Sequence, residues 1–61
     1  MKIPKKYKEK VESFKKCDTT FSEAKYEIEL SDGYIYEDSG THYTDTYKEA
    51  LEIMRYAKKE I

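Results

Sequence analysis

The chain contains 61 residues, of which 41% are charged and 15% are aromatic, and its formal net charge is −1. The aromatic content and the small net charge argue against intrinsic disorder, because disordered chains are poor in aromatic residues and carry a high net charge. One cysteine and one histidine exclude an internal disulfide and a structural zinc site, and the short apolar stretches exclude a membrane-spanning helix.

We expect one domain over residues 1–61, because a chain of this length has room for a single core. We also expect a cytoplasmic location, since no apolar run opens the sequence and Cys17 has no partner cysteine. The thiol of Cys17 is expected to be buried or half-buried, with a cross-link between two chains as the alternative.

Residues 4–17 are predicted to form an amphipathic helix. Pro4 suits the first helical turn, where its missing N–H costs nothing. Tyr7, Val11 and Phe14 follow at spacings of three and four residues, which places them on one helical face.

A polar linker at residues 18–23, in which Phe21 is expected to cover the core, separates this segment from two predicted strands. The first strand, residues 24–30, alternates apolar and charged side chains with a period of two. The second strand covers residues 34–38. Between them, a three-residue loop with Gly33 in the left-handed conformation keeps one face apolar, pairing Leu30 with Tyr34 and Ile28 with Tyr36.

A third short strand is predicted over residues 41–44, after a similar turn that ends at Gly40. In that register His42 lies opposite Tyr36, and Tyr43 lies opposite Ile35 on the outer face. A two-residue turn would instead place Tyr43 inside, and the sequence leaves both registers open.

The last predicted element is a helix over residues 46–60. Thr46 and Glu49 have the spacing of a capping box, in which side chains satisfy backbone N–H groups at the start of a helix. An apolar stripe then follows, with Ile53 and Tyr56 beside it. The sequence therefore predicts an α+β fold in the order α-β-β-(β)-α, with helices on one face of a small antiparallel sheet.

Charge is divided unevenly along the chain. Residues 1–17 contain seven lysines and two acidic residues, whereas residues 18–49 contain nine acidic residues and two lysines. In the predicted register the outer face of the sheet is acidic, with Glu27 directly opposite Glu37. Such a face is expected either to keep the sheet edges soluble or to bind a basic protein partner through carboxylates and exposed aromatic side chains. The candidate partner-binding residues are Glu27, Glu29, Ile35, Glu37, Asp38 and Tyr43.

The lysine-rich N-terminal segment provides the alternative site. Clustered lysines bind nucleic-acid phosphates without sequence preference, although pairs such as Lys5 with Glu9 also suit a solvated helix face. The candidate residues for nucleic-acid binding are Lys5, Lys6, Lys8, Lys10, Lys15 and Lys16. A homodimer is a further alternative, whereas membrane binding is not expected because the apolar helix face is needed for the core.

No catalytic, metal or cofactor motif is present in the sequence. Ser39, His42 and nearby aspartates are close in sequence, but a catalytic triad is defined by spatial roles. A contact of His42 with Tyr36 or Glu37 is the expected structural role. We therefore predict a protein that is not an enzyme and needs no cofactor.

Two resemblances bear on this prediction. Gly33, Gly40 and the segment Thr46–Tyr47–Lys48–Glu49–Ala50 resemble the turns and helix cap of integrase arm-type DNA-binding domains. That resemblance implies a three-stranded sheet with a helix, but those domains present a basic sheet, so no family is assigned. In size and charge the chain is also similar to small phage-encoded inhibitors such as anti-CRISPR proteins. This similarity implies an inhibitor that docks on a basic, nucleic-acid-handling partner.

Overall fold

The computed structural model describes residues 2–17 and 24–60, which combine one α-helix with antiparallel strands in the expected mixed α+β fold. A 3-10 turn at Lys5–Tyr7 comes first in the chain. The strands are β1 (Val11–Lys16), β2 (Tyr26–Leu30), β3 (Tyr34–Ile35), β4 (Thr41–Thr44) and β5 (Lys58–Lys59), and the helix is α1 (Tyr47–Tyr56). The predicted role of Phe21 lies outside the described residues.

The strands form two sheets. One has the order β1-β2-β4 with β2 in the centre, and the other pairs β3 with β5. Helix α1 contacts β2 and β4 and covers one face of the three-stranded sheet. The buried core between them contains Val11, Phe14, Ile28, Leu30, Ala50, Ile53, Met54 and Ala57.

The predicted helix over residues 4–17 is wrong, because residues 11–16 of that segment form the edge strand β1. Val11 and Phe14 are both buried, although a spacing of three residues would place them on opposite faces of a regular strand. An irregularity in the pairing between Val11 and Ser13 adds one residue and returns Phe14 to the inner face. An apolar spacing of three residues is therefore compatible with a bulged strand as well as with one face of a helix.

The predicted pairing of residues 24–30 with residues 34–38 is also wrong. Strand β1 takes the position beside β2, and β4 takes the other side, with Ile28 opposite His42 and Glu27 opposite Tyr43. Strand β3 is only two residues long and pairs with β5 instead. The reason is that β1 supplies the apolar side chains that complete the inner face of the sheet.

The two glycines serve different turns. Gly33 has a positive φ, as predicted, with a value of 89°. In its turn the Tyr34 N–H donates to the Ser31 carbonyl at 2.9 Å. Gly40 is not in that conformation, and the positive φ values fall on Glu37 (51°) and Asp38 (65°). These two residues form a tight turn in which Tyr36 and Ser39 exchange backbone hydrogen bonds of 3.0 and 3.1 Å, the pattern of a type I′ turn.

Helix α1 begins as predicted but ends early. The Thr46 hydroxyl accepts from the Glu49 N–H at 3.1 Å, which confirms the threonine half of the predicted capping box. The Glu49 carboxylate accepts from the Thr46 hydroxyl at 3.0 Å rather than from a backbone N–H. The helix ends at Tyr56 rather than near residue 60, because the chain then extends to pair with β3. Ile53, predicted beside the apolar stripe, is buried in the core. The α-β-β-(β)-α order is therefore replaced by β-β-β-β-α-β.

Candidate functional site

The outer sheet face is the face of the three-stranded sheet opposite helix α1, and it carries three of the predicted partner-binding residues: Glu27, Glu29 and Tyr43. The predicted opposition of Glu27 and Glu37 is wrong. Lys15 on β1 and Tyr43 on β4 flank Glu27 instead. Two like charges are therefore replaced by a cation and a phenol, which removes the repulsion of the predicted register.

The carboxylate of Glu27 interacts with the side chains of Lys15 and Tyr43 within the same protein. Lys15 Nζ lies 3.3 Å from Glu27 Oε1. A hydrogen bond to Glu27, together with the negative charge of that carboxylate, raises the pKa of the Tyr43 phenol above its ordinary value of 10.0. Although Tyr43 is 57% exposed, the neighbouring Glu27 carboxylate already forms an ion pair with Lys15.

The remaining predicted residues, Ile35, Glu37 and Asp38, lie outside the three-stranded sheet. They line a pocket of about 320 Å³ together with Tyr36, Tyr56 and Lys58, which we call the Tyr56 pocket. Its walls come from strands β3 and β5, the Tyr36–Ser39 turn and the C-terminal end of helix α1. The structure therefore separates the six predicted residues into two surfaces.

A second pocket of about 280 Å³, which we call the His42 pocket, shares part of its lining with the Tyr56 pocket. Tyr36 and Glu37 line both pockets, and in the His42 pocket they are joined by His42, Glu49 and Glu52, with Tyr43 also contributing to the lining. The expected contact of His42 with Tyr36 is present, with ring centroids 5.3 Å apart at an interplanar angle of 72°.

We define the acidic turn surface as Glu37, Asp38, Glu49 and Glu52 around the ring of Tyr36. Glu37, Asp38 and Glu52 are exposed, and within the described residues no hydrogen bond or salt bridge engages their side chains. These carboxylates are available to a partner, in contrast to that of Glu27.

Glu49 and Glu52 were not identified from the sequence as members of this surface, and Tyr56 and Lys58 were not identified as residues of the Tyr56 pocket. The three-residue spacing of Glu49 and Glu52 on a helix was a usable signal, because it places both on one helical face. The position of Lys58 at the Tyr56 pocket could not be predicted from the sequence, because it depends on the pairing of Lys58 with Ile35.

The six candidate lysines do not form one surface. Lys5 and Lys6 belong to the 3-10 turn, with Lys8 directly after it, whereas Lys15 lies on the outer sheet face. Lys10 has a structural role, because its Nζ donates to the carbonyl of Arg55 at 3.2 Å and to that of Met54 at 3.5 Å, at the C-terminal end of helix α1. A cation at this helix end interacts favourably with the helix dipole.

The geometry around His42 differs from that of a catalytic triad. The Ser39 hydroxyl donates to the Thr41 carbonyl at 3.0 Å, while His42 Nε2 lies 2.9 Å from the Ser39 carbonyl oxygen. Within residues 2–17 and 24–60, no group of three or more His, Cys, Asp or Glu side chains could hold a metal ion. Cys17 is a half-buried free thiol.

No helix in the described part of the chain is long and apolar enough to cross a membrane. Comparisons of the chain with family models, with curated proteins and with solved structures found no match. Function must therefore be inferred from the chemistry of the acidic turn surface and the outer sheet face.

Proposed function

We propose that this protein is a small binding module without enzymatic activity, and that its acidic turn surface docks on a basic surface of a protein partner. The observation that supports this proposal is the sharing of Tyr36 and Glu37 by two adjacent pockets. One concave region thus presents aromatic rings bordered by four carboxylates. Aromatic side chains anchor protein interfaces, and charges of one sign steer an oppositely charged partner toward them.

The acidic groups stand on ordered backbone. Glu49 is held at the N-terminus of helix α1 by its two hydrogen bonds with Thr46. Glu37 and Asp38 occupy the centre of a two-residue turn closed by backbone hydrogen bonds on both sides. Groups that are already positioned lose less conformational freedom on binding, which favours affinity.

The partner class that fits this surface is a protein whose basic groove otherwise holds nucleic acid, because carboxylates can take the place of phosphates there. This is the inhibitor role implied by the similarity in size and charge to small phage proteins. A cytoplasmic site of action agrees with the free thiol of Cys17, since reducing compartments keep thiols unpaired.

The proposal is tested by fluorescence anisotropy with two labelled probes, a short peptide of alternating arginine and glycine and a short duplex DNA. The peptide should bind, with an affinity that falls as salt is raised, because exposed charges are screened. The double variant Glu37→Lys/Glu52→Lys should weaken peptide binding by about tenfold or more, since charge reversal turns attraction into repulsion. Duplex DNA should not bind.

The matched control is the double variant Glu12→Lys/Glu29→Lys, which changes the net charge equally at exposed positions of the three-stranded sheet. Its peptide affinity should stay near that of the unmodified protein. Equal losses in both double variants would show that net charge alone controls binding and would refute the assigned surface. Tight binding of duplex DNA would favour the lysine-based alternative instead.

A further inference from the structure

The Tyr56 pocket differs from the rest of the acidic turn surface because its walls are largely aromatic and aliphatic. Tyr36 and Tyr56 provide rings, Ile35 provides an aliphatic wall, and Glu37 and Asp38 provide carboxylates. Among the lining residues Lys58 is the single cation against two carboxylates, and Arg55 lies outside this lining, next to the Tyr56 ring. A pocket of about 320 Å³ has room for one long side chain of a partner.

Tyr56 is the most exposed large hydrophobic side chain among the described residues, at 59%. The other two exposed tyrosines have structural contacts. Tyr47 stacks on Phe14 with centroids 5.7 Å apart, and Tyr43 lies opposite Glu27, whose carboxylate raises the pKa of the Tyr43 phenol. The neighbour of the Tyr56 ring is a cation, since Arg55 Cζ lies 5.5 Å from its centroid. The ring is thus exposed beside a pocket and already attracts a guanidinium group.

Carboxylates next to aromatic faces select cations. The rings attract a positive charge through their quadrupole, and the carboxylates add hydrogen-bond acceptors. An anion would be repelled by Glu37 and Asp38, and an apolar side chain would leave both carboxylates without a partner. The pocket therefore suits a positively charged side chain.

We propose that the Tyr56 pocket binds an arginine side chain of the partner protein, an inference that rests on the proposed function above. Arginine fits better than lysine because its planar guanidinium stacks on aromatic rings and presents several N–H donors to carboxylates at once. Its aliphatic part packs against Ile35 while the guanidinium contacts Tyr56 and the acidic turn. The site thereby adds arginine selectivity to an otherwise electrostatic interaction.

The experiment compares two labelled peptides of equal length and charge, one with alternating arginine and glycine and one with alternating lysine and glycine. The unmodified protein should bind the arginine peptide about fivefold more tightly, the contribution expected of a guanidinium on an exposed ring. Tyr56→Ala should remove this preference and leave both peptides with the affinity of the lysine peptide. Tyr56→Phe should retain it, because the ring remains.

Tyr43 lines the neighbouring His42 pocket, so its removal should affect both peptides equally. Tyr43→Ala is the matched control for the ratio of the two affinities, since Tyr43 is nearly as exposed as Tyr56 and does not line the Tyr56 pocket. It should keep the arginine preference, with circular dichroism verifying that every variant is folded. If both peptides bind the unmodified protein equally, the arginine site is wrong while the proposed function stands. If neither peptide binds, the proposed function fails and the arginine site fails with it. Loss of the preference in Tyr43→Ala as well would also overturn the site.

Discussion

The outer sheet face and the acidic turn surface carry similar side chains but use their charges differently. On the outer sheet face, the Glu27 carboxylate lies 3.3 Å from the Lys15 ammonium and opposite Tyr43, whose phenol pKa it raises. On the acidic turn surface, the carboxylates of Glu37 and Asp38 border a pocket and have no such partner among the described residues. The first surface therefore holds strands together, and the second is available to another molecule.

This difference shows that the number of acidic residues on a surface is a poor guide to binding. A carboxylate that already contacts a cation and a phenol must lose these contacts when it binds a partner. The new contacts then replace existing ones, so the net gain in binding free energy is small. A carboxylate held by backbone geometry alone has no such contacts to lose.

Ile28→Ala and Glu29→Ala test the two faces of strand β2 at neighbouring positions. Ile28 is fully buried, and its truncation should lower the free energy of unfolding by about 2–5 kcal/mol through lost packing and a residual cavity. A core of this size gives roughly 3–5 kcal/mol in total, so the variant should be largely unfolded. Glu29 is exposed, and its truncation should change stability by no more than about 0.5 kcal/mol.

Urea denaturation followed by circular dichroism measures both variants. A similar loss of stability in Glu29→Ala would mean that a side chain on the outer sheet face stabilises the fold as much as a buried one does. The division between the two faces of β2 would then be incorrect.

Asp38→Gly tests whether the positive φ of Asp38 lowers the stability of the protein. Asp38 has a φ of 65°, a conformation that costs an ordinary L-residue about 1–2 kcal/mol and glycine almost nothing. The variant should therefore be more stable by about 0.5–1 kcal/mol in urea denaturation. It should also bind the arginine peptide more weakly, because one carboxylate of the Tyr56 pocket is gone.

Asp45→Gly is the control for this change, since Asp45 is exposed and has no positive φ. Glycine there should lower stability by about 0.5–1 kcal/mol through the added freedom of the unfolded chain. If both glycine variants were destabilised, the turn would not be strained in the way proposed.

Glu27→Gln should produce the smallest effect, a change in the titration of Tyr43. Without the carboxylate, the pKa of the Tyr43 phenol should fall toward its ordinary value of 10.0. Because the folded protein raises this pKa, the associated stabilisation is complete below pH 10 and is lost as the pH rises through the raised value. The variant should therefore show a smaller loss of stability at alkaline pH.

Carbon-13 NMR of labelled tyrosine rings follows each phenol separately, and Tyr43→Phe identifies the signal of Tyr43. An unchanged Tyr43 titration in Glu27→Gln would contradict the internal pairing on the outer sheet face. Stability near neutral pH should barely change, because an exposed ion pair contributes roughly 0–1 kcal/mol.

The start of helix α1 could be predicted from sequence because its signals are local. Thr46 and Glu49 are three residues apart, and their contact depends on no other part of the chain. The turn at Gly33 was predictable for the same reason, since glycine tolerates a positive φ.

Strand β1 and the acidic turn could not be predicted, because both depend on distant residues. Val11 and Phe14 have a helical spacing, and only the pairing with β2 explains the irregularity between them. Glu37 is an unusual residue for a type I′ turn, which favours asparagine, aspartate and glycine. Only three of the six predicted partner-binding residues therefore line the Tyr56 pocket.

The pairing of β3 with β5 has a consequence for the way ligand binding can be detected. Lys58 reaches the Tyr56 pocket only because it pairs with Ile35, and the Glu60 N–H donates to the Gly33 carbonyl at 2.7 Å beside that pair. A chain that has not joined these distant segments has no pocket, so a ligand of this pocket binds the native state alone. Occupancy must then shift the unfolding equilibrium, by about 2.7 kcal/mol at a ligand concentration of 100 Kd. Thermal denaturation thus becomes a label-free screen for partners of this protein.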